Sequence, residues 1–233
     1  MKNLRFIIIY YILNDLILAL LNERWIATAA HCFETGQESS IEVRLGKHDQ
    51  SLTEDSEVVT KIAEIIRHPD FTKETFDNDI ALVKINHHVQ FTSYVQPVCL
   101  PFNKREVENH FFGRSIDNNE LRIGHVTGWG QLKENGPQPR YLQELRLPIV
   151  EDQKCRSSTA FKVTGNMFCA GYGKEVVGDA CKGDSGGPFV SQYKSRWTLI
   201  GVVSWGEGCG RVGKYGFYTR VSNYLDWINA IIK

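Results

Sequence analysis

Residues 179–188 read Asp-Ala-Cys-Lys-Gly-Asp-Ser-Gly-Gly-Pro. One serine, Ser185, sits inside a glycine-rich turn, with the acids Asp179 and Asp184 and the cysteine Cys181 before it. A bare serine hydroxyl is a poor nucleophile at neutral pH. It needs a neighbouring base, a third group to orient that base, and backbone donors aimed at the developing oxyanion. Gly183 and Gly186 leave the backbone free to turn its amides inward. The two missing parts lie upstream, as His31 in Thr28-Ala29-Ala30-His31-Cys32 and Asp79 in Asp77-Asn78-Asp79-Ile80-Ala81-Leu82. The chain order His, Asp, Ser is one of the orders in which such a triad occurs.

The rest of the chain must build a scaffold that brings these three together. With 233 residues, 42% of them hydrophobic, it can bury one substantial core, or two small ones sharing a cleft. Lys+Arg and Asp+Glu both number 27, so no basic footprint argues for nucleic acid, and any selectivity for charged substrates has to be local. The six cysteines, at 32, 99, 155, 169, 181 and 209, form no Cys-x-x-Cys pair. That spacing suits disulfides in an oxidising compartment better than zinc. No Asn-x-Ser/Thr acceptor is present to support secretion independently.

Short segments rich in Val, Ile, Tyr and Phe recur between residues 24 and 220: Ile41–Leu45, Ile80–Ile85, Gly124–Trp129 and Leu199–Ser204. No long helical period interrupts them, so the fold class is all-β. The polar stretch Phe102–Glu120 reads as a crossover between two barrels or sandwiches of similar size. One helix is expected at the end. Val221, Tyr224, Leu225, Ile228, Ile231 and Ile232 place a stripe at 3.6-residue spacing, and Ser222 or Asn223 can cap it.

The first residues differ. A basic start is followed by an apolar run from Phe6, which Asn14 and Asp15 interrupt. Residues 1–19 are expected to lie outside the domain at 20–233. They read either as a signal-like or anchor-like segment (6–21 as the apolar part) or as a mis-assembled start.

These motifs carry a resemblance. The chain resembles the chymotrypsin-like serine proteases, and within them is similar to the trypsin-like, thrombin-related branch. The resemblance runs from about Leu20 to Lys233, through Trp25–Cys32, Asp79–Leu82, Pro97–Pro101, Gly128–Gly130, Asn166–Gly171 and Gly183–Pro188. It implies two packed six-stranded antiparallel β-barrels with the site between them, His31 and Asp79 from the first and Ser185 from the second. His31 would act as general base, Asp79 would hold its tautomer, and the amides of Gly183 and Ser185 would form the oxyanion hole.

Asp179 would floor a specificity pocket for Arg or Lys. Gly206 and Gly216 would stand in its walls, and Ala180 would favour Arg. Ser204, Trp205 and Gly206 would pair with extended substrate. The implied disulfides are Cys155–Cys169 and Cys181–Cys209, leaving Cys32 and Cys99 without partners in this chain. Lys47 would replace a calcium ion by pairing with Glu57. Tyr215 marks sodium-responsive members, with the carbonyls of Arg211 and Lys214 as ligands. No cofactor is implied. The implied partners are protein or peptide substrates and protein inhibitors, in an extracellular setting. His48, His68, His87, His88, His110 and His125 lack a catalytic context and read as structural or surface groups.

The chain also departs from the pattern. The resemblance implies an Ile-Val-Gly-Gly amino terminus that pairs with Asp184, and early strands before Leu20. Neither is in this sequence, so the first barrel is expected to be incomplete. The chain is then either a fragment of a competent protease or an inactive, zymogen-like binding module.

Overall fold

The structure, a computed structural model, describes the backbone of residues 8–11 and all of residues 17–33, 41–113, 122–173 and 178–233. Twelve strands appear among them. Six come from the first half: β1 (Ile8–Tyr11), β2 (Ile17–Leu20), β3 (Trp25–Thr28), β4 (Glu42–Leu45), β5 (Val58–Arg67) and β6 (Ala81–Ile85). The other six are β7 (Ile123–Gly128), β8 (Gln143–Pro148), β9 (Met167–Ala170), β10 (Pro188–Tyr193), β11 (Arg196–Gly206) and β12 (Gly216–Arg220).

The first sheet closes into a barrel in the order β1-β2-β3-β6-β5-β4, with every pairing antiparallel. Residues 17–85 supply five of its strands. The sixth is Ile8–Tyr11, which pairs with β2 (Ile8↔Ala19) and with β4 (Tyr11↔Val43). Ile8–Tyr11 thus pairs beside the five strands that residues 17–85 supply. Burial in β2 explains why this part of the chain is hard to read from sequence. In β2, Leu18 and Leu20 point into the barrel, while Ile17 and Ala19 point at the second half of the molecule, and all four are buried. A strand covered on both faces loses polar alternation and looks like any other apolar run. Among the described residues no helix is long and apolar enough to cross a membrane.

The second sheet runs β8-β7-β10-β11-β12-β9, and the bridge Ile149↔Ala170 brings its two edges together. Phe168, Phe189 and Tyr218 fill its interior, with ring centroids 4.7–5.3 Å apart. Between the barrels lies a third apolar layer that joins Ile17, Trp25, Ala29 and Leu82 to Trp129, Leu142, Val202 and Ile228. Arg140 reinforces this seam with a two-pronged bond to Asp49 (Nη2–Oδ2 2.7 Å, Nε–Oδ1 2.9 Å).

Helix is confined to the edges of the barrels. The expected crossover contains α1 (Lys104–Val107), capped by Asn103, whose side chain accepts from Glu106 N at 2.8 Å. Residues 114–120 of that stretch fall outside the described residues. A second short helix, α2 (Asp152–Ser157), precedes β9. The C-terminal stripe forms a 3-10 turn over Val221–Tyr224 and then α3 (Leu225–Ile231), with Val221, Tyr224, Leu225 and Ile228 buried as expected. The expected caps are not used. Ser222 donates to Glu108, and Asn223 donates to Gly165 O and Asn166 Oδ1, so both side chains bond to tertiary acceptors.

Candidate active site

His31 stands on the 3-10 turn Ala30–Cys32, directly after β3. Ala29 and Ala30 are fully buried, so the turn is anchored while the imidazole keeps 19% of its surface exposed. Asp79 precedes β6 and is fully buried. Its Oδ2 lies 2.7 Å from His31 Nδ1, and its Oδ1 accepts the His31 backbone amide at 2.9 Å. Two further donors come from the second barrel: Ser204 Oγ bonds Oδ2 at 2.5 Å, and Thr219 Oγ1 bonds the Asp79 carbonyl at 2.7 Å. A buried carboxylate is tolerated when several donors replace its water. Burial pushes the His31 pKa down, but the Asp79 carboxylate and the Cys32 sulfur together outweigh it and hold the imidazole above its ordinary 6.5.

Ser185 follows Gly183, which has φ +100, and precedes Gly186, which has φ +76. Such angles suit glycine, since a Cβ would crowd the neighbouring backbone. At Gly186 a Cβ would also fall 2.2 Å from Thr28 Oγ1 and 3.3 Å from Ala29 N. The turn bearing Ser185 is thus pressed against the segment leading into His31. The amides around Ser185 divide into two sets. Those of Asp184, Gly186 and Gly187 bond to Cys181 O, Val203 O and Asp184 O. Those of Gly183 and Ser185 have no acceptor among the described residues. Two open backbone donors beside a serine can receive an oxyanion.

Ser185 Oγ and His31 Nε2 are not hydrogen-bonded among the described residues. The recorded neighbour of Nε2 is Cys32 Sγ at 3.7 Å. Cys32 and Cys99 are free thiols, while Cys155–Cys169 and Cys181–Cys209 are disulfides with Cα–Cα separations of 5.7 and 5.2 Å. Both bridges are the expected ones.

A cavity of about 240 Å³ opens beside Ser185, lined among others by Ala180, Trp205, Gly206, Gly216 and Tyr218. Trp205 stacks on Phe217 with centroids 3.9 Å apart, and Phe161 meets its edge at 6.0 Å. Gly206 has no atom within 3.6 Å of where a Cβ would stand, so its bareness widens the cavity. Asp179 borders a neighbouring cavity of about 250 Å³, which Asp184 also faces, and Ala180 lines both. The wall between them is thin: a Cβ on Gly216 would come within 2.6 Å of Asp179 Oδ1. Burial pushes the two carboxyls up, Asp179 to about 7 and Asp184 to about 6.

Asp184, for which the resemblance implies an ammonium partner, accepts two backbone amides: Gly130 N donates to Oδ1 at 2.8 Å and Cys181 N to Oδ2 at 2.9 Å. Lys47 and Glu57 are both buried and paired, and Lys47 also donates to Leu52 O. Near the expected sodium ligands, Arg211 O accepts Lys214 N at 3.1 Å, and Lys214 Nζ bonds Glu207 at 2.9 Å and Ser158 O at 3.0 Å. Among the described residues no group of three or more His, Cys, Asp or Glu is placed to hold a metal.

A family model for trypsin matches residues 18–228. The chain belongs to the trypsin family. As a trypsin-family member it is built on a serine protease scaffold, and the match, like β2, begins before residue 20. Several contributors to the site were not foreseen from sequence. Besides the substrate pairing expected of its strand, Ser204 turns its hydroxyl inward to Asp79, 125 residues away in the chain. Thr219 and the Cys32 thiol were missed altogether. No local pattern marks a hydroxyl whose partner lies more than a hundred residues upstream.

Proposed function

We propose that the chain is a serine endopeptidase that cleaves after Arg, or less readily Lys, in extracellular protein and peptide substrates. Ser185 Oγ attacks the scissile carbonyl carbon while its proton passes to His31 Nε2. The imidazolium then protonates the leaving amine, and a water repeats the sequence on the acyl-enzyme. Asp79 keeps the Nδ1 proton in place and stabilises the imidazolium. The amides of Gly183 and Ser185 receive the oxyanion, and Asp179, behind Gly216, answers a substrate cation. The observation that carries this reading is the pair of amides at 183 and 185, which have no acceptor among the described residues and stand beside Ser185. The two disulfides support an oxidising compartment. Tyr215 and the Lys47–Glu57 pair support the thrombin-related branch within the family.

One observation favours a second reading, a peptide- or inhibitor-binding member without turnover: His31 Nε2 has Cys32 Sγ at 3.7 Å and no hydrogen bond to Ser185 Oγ among the described residues. A chromogenic Arg substrate and an aryl phosphonate separate the two. An endopeptidase turns over the substrate and is labelled at Ser185, and Ser185→Ala abolishes both. A binding module retains affinity for Arg peptides and takes no label.

A further inference from the structure

The turn that delivers Asp79 to His31 is strained. Phe76 and Asn78 both have left-handed backbones, φ 55 and 56. Asn tolerates that region, but Phe does not, and such a conformation persists only where its surroundings over-determine it. Both ends of the turn act on His31: the Phe76 ring meets the imidazole edge-on at 5.4 Å, and Asp79 follows Asn78 directly.

Several groups that hold this turn come from the second half of the chain. Asn166 Nδ2 donates to Asp77 Oδ1 at 3.0 Å and to Asn78 Oδ1 at 3.1 Å, which uses both of its hydrogens. Its own Oδ1 accepts from Asn223 Nδ2 at 2.9 Å. Thr164 Oγ1 adds a bond to Asp77 Oδ1 at 2.7 Å, and Tyr224 Oη one to Asn78 Oδ1 at 3.0 Å. Asn78 Nδ2 donates to Asp70 O at 2.9 Å, which fixes its Oδ1 toward Asn166 and leaves one self-consistent orientation for the amides. The Asn166 backbone is held as well, since its carbonyl accepts Arg220 N at 2.8 Å from the end of β12. Asn166, in the turn leading into β9, is thus a side chain that grips two consecutive residues of the strained turn.

We propose that Asn166 is a positioning residue for the reaction: by bridging Asp77 and Asn78 it holds the Asp79 carboxylate and the Phe76 ring at their working positions against His31. The inference rests on the roles given above to His31 and Asp79. The titratable groups facing His31 are Asp79 and Cys32, and neither bonds to Asn166.

The test compares the full chain with Asn166→Ala, Asn166→Asp and the exchange Asn166→Asp/Asp77→Asn. It measures kcat and KM on a chromogenic Arg substrate, the pH profile, and the His31 ring titration by NMR. Asn166→Ala should lower kcat about tenfold with KM within twofold, and lower the His31 pKa because a loosened carboxylate holds the imidazolium less well. Asn166→Asp sets two carboxylates against each other and should do worse. The exchange restores one donor and one acceptor across the gap and should recover part of the loss. If Asn166→Ala melts earlier while kcat and the His31 titration stay unchanged, the residue is only structural and the proposal falls. Should the alanine variant not fold, Asn166→Ser, which keeps one donor, is held to the same outcomes. If the wild-type chain neither turns over substrate nor takes the phosphonate, the catalytic reading fails on its own. The His31 titration still reports whether Asn166 positions Asp79, and an unmoved titration overturns the proposal there too.

Discussion

Cys32 Sγ lies 3.7 Å from His31 Nε2, against the ring nitrogen that faces away from Asp79. Burial raises the Cys32 thiol, so it stays neutral at physiological pH and acts as a weak acceptor toward the imidazolium. In the proposed reaction it therefore competes with Ser185 for the nitrogen that would take the serine proton. Cys32→Ala should lower the His31 pKa, and phosphonate labelling of Ser185 at pH 7 should speed up several-fold, the scale of one hydrogen bond to a charged group. Labelling that stays at the wild-type rate would mean the thiol yields freely when substrate binds.

Asp79 and Cys32 together hold the His31 pKa above its ordinary 6.5, and only the neutral imidazole can accept a proton from serine. Activity is then lost as pH falls through this raised pKa, so the acid limb of kcat/KM should lie above pH 6.5. Asp79→Asn would turn an amide donor toward Nδ1, favour the other tautomer and remove the charge. A drop in kcat on the order of 10⁴-fold is expected, with Tm little changed. Steady-state kinetics across pH 5–10 check both statements.

For Asp179, burial raises the folded-state pKa from 3.8 to about 7. The folded state then binds the proton more tightly than the unfolded chain, so this carboxyl's contribution is fully present below about pH 4 and is lost as pH rises through 7. Asp179→Asn removes the titration. The variant should melt above the wild type at pH 8, by roughly 1–3 kcal/mol, with the gap closing by pH 4. Its kcat/KM on Arg substrates should fall about a hundredfold or more. Parallel melting curves across that range would place Asp179 in contact with water.

Cys181 and Cys209 are 28 residues apart, and Cys155 and Cys169 are 14 apart. In the chain-entropy picture, removing the first bridge costs about 3–4 kcal/mol and the second about half a kcal/mol less. The functional effects should differ more. Cys181 and Cys209 both line the cavity beside Ser185, so their double replacement by Ala should raise KM as well as lower Tm. Denaturant unfolding and Michaelis kinetics on the two double variants give the comparison.

Much of the fold could be read before any coordinates. Ile80–Ile85 and Gly124–Trp129 alternate or cluster in ways only a strand satisfies, and the stripe Val221–Ile228 could only be a core-facing helix. The N-terminal run was opaque for the same physical reason that makes β2 useful. Buried on both faces, Ile17–Leu20 has no polar side to reveal its period, so it reads as a signal or an anchor. Ser222 and Asn223 look like helix caps in isolation. They were claimed instead by Glu108, Gly165 and Asn166, whose distance along the chain hides them.

By itself the sequence determined the chemistry on offer: an activated-serine turn at 183–187, a histidine and an acid of matching context, and the family to which they point. Each of those features is local, set by which residues adjoin in the chain and how glycine frees the backbone. Only the tertiary structure decided which groups meet across the seam between the barrels, Ser204 and Thr219 on Asp79 and Asn166 on the turn before it, and that Ile8–Tyr11 pairs into the first barrel. Those meetings depend on register and packing between segments up to 140 residues apart, and short-range pattern carries no information about them.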